Sequence, residues 1–139
     1  MIQQVVLDTD ILSEILVGQN PHVAAHLLDY TTQYLTSLSV FEILSGLRKR
    51  DAKAKLKRAE QLFARNHEIV PEAADYRLAA EIVGDLLRTG HPIGIVDPLI
   101  AACAIRRGVA VATANTDHYS YIQNAGYRLT LANWRIPTQ

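Results

Sequence analysis

The chain has 139 residues, the size of one ordinary domain and enough to bury one hydrophobic core, so it reads as a single domain over 1–139. Apolar residues make up 49% and charged residues 20%, which excludes a disordered chain. The formal net charge of +0 leaves room only for a local polyanion-binding surface.

The single cysteine, Cys103, excludes an intrachain disulfide, and its place in the apolar run Leu99 to Ile105 marks it as packing. No stretch approaches membrane-spanning length and no signal-peptide pattern opens the chain. A soluble, cytoplasmic protein with no membrane association is expected.

Ile2 to Leu7 is short, β-branched and apolar, the pattern of a buried strand. It ends at Asp8-Thr9-Asp10, where Ile11-Leu12 and Ile15-Leu16 begin a helical pattern that stops at Gly18. Asn20-Pro21 opens a second helix carrying Val23, Leu27 and Leu28. Tyr34 to Ser37 is a second strand, and from Ser39 a helix places Val40, Ile43, Leu44 and Leu47 on one face. Asp51 to Asn66 is a charged helix with Leu56, Ala59, Leu62 and Phe63 as its apolar stripe. Glu68-Ile69-Val70, closed by Pro71, is a third strand, followed by a long helix from Glu72 to Thr89 that Gly90 stops. Asp97-Pro98 starts the next helix, which ends at Gly108, and Val109 to Thr113 is the most strand-like run of the chain. A short helix over Tyr119 to Asn124 and an extended piece over Arg128 to Leu131 complete the order. Strands alternating with helices predict an α/β fold with a central, mostly parallel sheet flanked by helices.

In open parallel sheets, ligands bind beyond the carboxyl ends of the strands. Asp8 and Asp10 follow the first strand, Glu42 lies shortly past the second, Asp117 follows Val109 to Thr113, and Asp97 opens the helix leading into that strand. Carboxylates from separate segments on one rim supply what Mg²⁺ or Mn²⁺ takes, namely oxygen ligands. Two like charges ~4 Å apart repel by roughly 4 kcal/mol at an effective dielectric of ~20, so such a cluster needs a cation or a shared proton.

Each acid also has a structural use. Asp97 before Pro98 suits a helix N-cap with proline at the first helical position, and local pattern alone favours that reading. Ser39-Val40-Phe41-Glu42 fits a capping box. Glu42 also lies opposite the Val40, Leu44 and Leu47 stripe, among Ser39, Ser45 and Gly46, where another segment can approach closely, so capping and metal binding stand level. Asp10 reads as an N-cap rather than a ligand. Asp8, closing a buried strand ahead of an apolar helix, is the hardest to assign to structure alone.

Four segments resemble, in order, the motifs of the PIN-domain family, and specifically of its VapC-type toxins. Val5 to Glu14 is similar to the first, a strand ending in a catalytic Asp, here Asp8. Ser37 to Gly46 resembles the second, with Glu42, and Ile95 to Ala102 the third, with Asp97. Ala112 to Tyr119 resembles the fourth, and Asn133-Trp134 the VapC ending, so the likeness runs from Ile2 to Trp134. The chain departs from the pattern at Asp10, where Asn or Ser is usual. It departs again at Asn115 and His118, where an acid is commoner, the nearest acid being Asp117.

The resemblance implies a PIN fold that binds Mg²⁺ or Mn²⁺ and cleaves single-stranded or looped RNA as the toxin of a type II toxin–antitoxin pair. It also implies a homodimer inhibited by a cognate VapB-type antitoxin. Asp8 and Asp97 would be the main metal ligands, with Glu42 holding a metal or its water and Asn115 and Asp117 assisting from further out. A water, rather than a side chain, would be the nucleophile.

Arg48-Lys49-Arg50, Lys53, Lys55, Lys57 and Arg58 concentrate positive charge after the second motif. Such runs are usually solvated helix faces, but beside a nuclease site this one leans towards RNA phosphates. Arg106-Arg107 reads as a helix C-terminus favoured by the dipole. Tyr30 and Tyr34 read as packing in preference to base stacking, and the pair His22 and His26, with no acid nearby, as surface or core. The helices with Leu27, Leu28 and Tyr30 and with Leu56, Leu62 and Phe63 offer more apolar surface than a short sheet needs, which fits a dimer.

Two rival readings remain. A haloacid-dehalogenase-like phosphatase also carries an Asp-x-Asp after a strand, but expects Thr or Val where this chain has Leu12. A non-catalytic PIN module binding RNA or a protein partner would have lost its acids, and this chain keeps Asp8, Glu42 and Asp97.

Overall fold

The computed structural model describes residues 4–29, 32–134 and 136–137. Ile2, Tyr30 and the Leu28 side chain lie outside the described part. In chain order the elements are β1 (Gln4–Leu7), α1 (Thr9–Val17), α2 (Pro21–Asp29), β2 (Thr32–Thr36), α3 (Ser37–Lys49) and α4 (Lys53–Ala64). They continue with β3 (His67–Ile69), α5 (Ala73–Arg88), α6 (Val96–Arg107), β4 (Ala110–Thr113), α7 (Asp117–Asn124) and β5 (Leu131–Asn133).

The strands form one sheet of five in the order β3-β2-β1-β4-β5, with every pairing parallel. This is the predicted α/β architecture. β1 lies in the middle, so Val5, Val6 and Leu7 are wholly buried, and their alternation splits the core in two. Val6 joins Val111, Ile82, Leu86 and the α6 residues Leu99 to Ala104 on one face. Val5 and Leu7 join Ile11, Leu12, Ile43, Leu47, Leu62 and Phe63 on the other.

Helix ends follow local chemistry. α1 and α6 stop at Gly18 and Gly108, whose φ of 71° and 67° suit glycine. α6 lies so deep that every residue from Pro98 to Ala104 is buried, and burial pushes the Cys103 thiol up to about 11, an inert packing group. Among the described residues, no helix is long and apolar enough to cross a membrane.

Two expectations are corrected. The last strand is Leu131–Asn133 rather than Arg128 to Leu131, because Tyr127 to Leu129 is bent back by a turn and the ladder with β4 opens only at Leu131. Leu62 and Phe63 are 5% and 8% exposed, while Leu27 and Leu56 pack against the same core. The chain itself therefore uses the apolar stripe that was expected to face a second copy. Tyr34 packs partly buried against the other core, as expected. His26 stacks on Trp134 with ring centroids 5.6 Å apart, a packing role.

Candidate active site

With β1 between β2 and β4, the segments leaving the carboxyl ends of these strands emerge side by side. A cavity of about 320 Å³ opens there, lined by Thr9, Asp10, Glu42, Asp97, Asn115, His118 and the loop 93–96. Asp8 is 2% exposed and is not part of the cavity lining; it is the N-cap of α1, its Oδ1 accepting the Ile11 amide at 2.8 Å. Burial pushes its carboxyl up to about 7, the charges of Asp10 and Asp97 adding to the rise and hydrogen bonds from Thr113 and Ile11 opposing it. Among the described residues, no cationic side chain pairs with Asp8. The capping role expected of Asp10 thus belongs to Asp8, because the helix begins at Thr9. Asp10 stands exposed in the first turn and lines the cavity.

Glu42 is not part of a capping box. α3 starts at Ser37 with Thr36 as its N-cap, the Thr36 hydroxyl accepting the Ser39 amide at 3.2 Å. Glu42 instead accepts the Thr9 hydroxyl at 2.8 Å, and Thr9 and Ser39 share a hydrogen bond of 3.0 Å. Serine at position 39 therefore serves close approach of α1 to α3.

Asp97 does not cap α6 either. The cap residue is Ile95, so Asp97 falls inside the first turn and is aimed at α7. There its Oδ2 lies 2.8 Å from His118 Nδ1 and its Oδ1 accepts the Tyr119 hydroxyl at 3.3 Å. Burial, with the charges of Asp8 and Asp97, holds the Tyr119 phenol well above its ordinary value, so it stays a proton donor.

Asn115 is exposed at the cavity, its backbone pinned by the Thr113 hydroxyl at 2.8 and 3.0 Å and its Oδ1 accepting the Asp117 amide at 3.1 Å. The structure does not bring Asp117 to the cavity lining. It is exposed in the first turn of α7, and His118 stands at the cavity in its place. Arg48, Lys49 and Arg50 are exposed at the end of α3, and of the three only Arg50 borders a cleft sharing residues with the acid cavity. Sequence reasoning missed Thr9 and Tyr119 as partners of the acids. The position of His118, directly before an aromatic, was the one available signal.

The donors facing the cavity are mostly carboxylate, amide and hydroxyl oxygens, a set suited to a hard divalent cation. The buried, uncompensated Asp8 favours the same occupant. Among the described residues, no three His, Cys, Asp or Glu side chains stand together as a group that could hold a metal ion.

Residues 5–123 match the PIN domain, and the chain belongs to that family. This sets aside the dehalogenase-like alternative. The structure is similar to that of DNA-bound VapBC from Salmonella typhimurium, at 22% identity over 96% of this chain and 99% of that one, with a TM-score of 0.83. VapBC2 from Rickettsia felis, bound to a promoter DNA fragment, gives 24% identity over 95% and 99% with a TM-score of 0.81. VapC20 of Mycobacterium tuberculosis, described as a sarcin–ricin loop cleaving toxin, gives 13% over 96% and 99% with a TM-score of 0.64. At these identities the likeness is one of fold. None of the curated proteins matches the sequence.

Proposed function

We propose that this PIN-domain protein is a metal-dependent endoribonuclease, the toxin of a type II toxin–antitoxin pair. The observation that carries the reading is Asp8, a buried carboxylate near the charges of Asp10 and Asp97, held at about 7 and paired with no cationic side chain among the described residues. The VapBC complexes and the loop-cleaving toxin that share the fold support it.

Asp8 and Asp97 would hold Mg²⁺ or Mn²⁺, with Glu42 and the Asn115 carbonyl at its flank. The ion would supply an activated water and neutralise charge on the phosphodiester. The chain's own residues set the geometry. Ile11 fixes Asp8, Thr9 fixes Glu42, and His118 and Tyr119 grip the two oxygens of Asp97. Asp117 contributes negative charge from outside the cavity. A VapB-type antitoxin would inhibit by placing a basic side chain against Asp8 and Asp97, and the active species would be a homodimer.

Incubation of the purified protein with a structured RNA tests this. Cleavage is expected with Mg²⁺ or Mn²⁺ and is expected to stop in EDTA. Undiminished cleavage in EDTA would overturn the mechanism.

A further inference from the structure

Beside the acid cavity lies a second cleft of about 260 Å³. Leu16 and Val17 of α1 and Ile43 and Leu47 of α3 form its walls, and Arg50 and Lys55 stand among its lining. It shares Thr9 and Glu42 with the acid cavity, so the two are continuous across the 2.8 Å hydrogen bond joining those residues. Both cations reach it because α3 and α4 are joined by a tight turn. The Ala52 amide bonds back to the Leu47 carbonyl at 3.0 Å, and Asp51 takes a left-handed φ of 50°. Neither Arg50 nor Lys55 is in an ion pair among the described residues. At Gly46 nothing stands within 4 Å of where a Cβ would be, so this part of the cleft is open space.

A slot with aliphatic walls, cations at one end and Thr9, Ser13 and Glu42 towards a proposed phosphodiester-cutting centre suits an unpaired nucleotide, its base between the aliphatic walls and its phosphate on the cations. We infer that this cleft seats the nucleotide neighbouring the scissile phosphate of a single-stranded RNA, with Arg50 and Lys55 holding the flanking phosphate. The inference rests on the nuclease reading above and deepens it. The aliphatic walls select for an unstacked nucleotide, since a base held in a duplex cannot enter between them. A basic antitoxin segment is a poorer occupant, since Arg50 and Lys55 repel it.

Binding of a short fluorescein-labelled oligouridine, followed by anisotropy in EDTA across a salt series, tests the inference without cleavage. The double variant Arg50→Ala/Lys55→Ala is expected to bind more weakly and to lower the slope of log affinity against log salt by about 0.7, one phosphate contact on a single strand. Arg88→Ala, on the opposite face of the sheet, changes net charge without that loss of slope. Gly46→Phe fills the slot and is expected to cost roughly tenfold in affinity, the scale of one seated base, whereas Gly46→Ala folds with a slightly raised thermal midpoint and binds nearly as before.

If the wild type cleaves RNA with metal, and Gly46→Phe and Arg50→Ala/Lys55→Ala bind and cleave as it does, the subsite is overturned and the nuclease stands. If these variants weaken binding while the wild type cleaves nothing, the cleft stands as a seat for a single-stranded nucleotide, and the nuclease reading falls together with the place of that nucleotide beside a scissile phosphate. Variants that bind RNA normally but escape inhibition by the antitoxin would assign the cleft to a peptide and overturn the inference.

Discussion

Asp8 and Asp75 are both buried carboxylates at the starts of helices, 2% and 0% exposed, and the fold surrounds them with opposite partners. Asp75 accepts the Glu72 amide at 2.8 Å, Arg106 at 2.8 Å, and Arg107 at 2.9 and 3.1 Å. Burial alone would push its carboxyl up, but Arg107, the Glu72 amide and Arg106 together hold it well below the usual carboxylate range. Asp8 accepts the Ile11 amide but pairs with no cationic side chain among the described residues, and burial prevails. One helix serves both sites. α6 presents Asp97 near its start, adding negative charge beside Asp8, and Arg106 and Arg107 at its end, neutralising Asp75. The two arginines are therefore more than dipole-favoured residues at a helix end. A carboxylate that holds the fold together is given its cations by the chain, whereas Asp8 is paired with no cationic side chain among the described residues.

The largest effect expected from this contrast is on activity. Asp8→Asn and Asp97→Asn should each lower RNA cleavage by roughly 10²–10³-fold, the scale of losing one charge-stabilising contact in a reaction centre. Asp75→Asn should leave cleavage per folded molecule unchanged. Single-turnover rates normalised to the folded fraction compare them. Loss of activity in Asp75→Asn at full folding would erase the distinction.

Stability should reverse the order. Asp75→Asn strands two guanidinium groups and is expected to cost about 2–3 kcal/mol, less than a fully buried pair because both arginines keep contact with solvent. The stability Asp75 supplies is present above the ordinary carboxylate value and is lost as the pH falls towards its depressed folded value.

Asp8 runs the other way. In EDTA the unfolded chain releases this proton near 3.8 while the fold keeps it to about 7, so the fold loses stability as pH rises between those values and no more above them. Asp8→Asn removes the ionisation and keeps an acceptor for Ile11. It should be the more stable protein at pH ~8, by up to about 4 kcal/mol, with the gap closing towards pH ~4. Urea unfolding of both proteins at the two pH values measures it. A gap that does not change with pH would refute the buried-charge account. Added Mn²⁺ should raise the wild-type midpoint and leave that of Asp8→Asn nearly unmoved.

Much of this was legible in the sequence because the core writes itself locally. Val5 to Leu7, the α5 stripe and the run through Ala101 and Ala102 give a central strand and two packed helices, and strand ends then locate the rim. The individual roles of the acids were harder to read. The helix start decides which residue is the cap and which stand inside the first turn, and the true starts at Thr9, Ser37 and Val96 all precede the expected ones. That shift alone exchanges Asp10 for Asp8 as a cap and frees Glu42 and Asp97 for the cavity. The grip of His118 and Tyr119 on Asp97 joins residues from two helices and leaves no local pattern. The burial of Leu62 and Phe63 likewise depends on how α4 meets α1 and α3.

The smallest expected effects concern the loop after β4, where Asn115 and His118 reach the cavity and Asp117 does not. Asp117 is exposed and outside the cavity lining, so Asp117→Asn should weaken cleavage by only about twofold, the worth of a screened surface charge. His118→Ala should do more, because releasing Asp97 Oδ2 lets a ligand carboxylate rotate, and His118→Gln, which can still donate to that oxygen, should recover part of the loss. Asn115→Asp adds a charge at the cavity itself and should tighten Mn²⁺ binding by about tenfold. Calorimetric titration of Mn²⁺ into these variants ranks them directly. A loss in Asp117→Asn as large as that in Asp8→Asn would make Asp117 a ligand, although its exposed carboxylate in the first turn of α7 does not line the cavity.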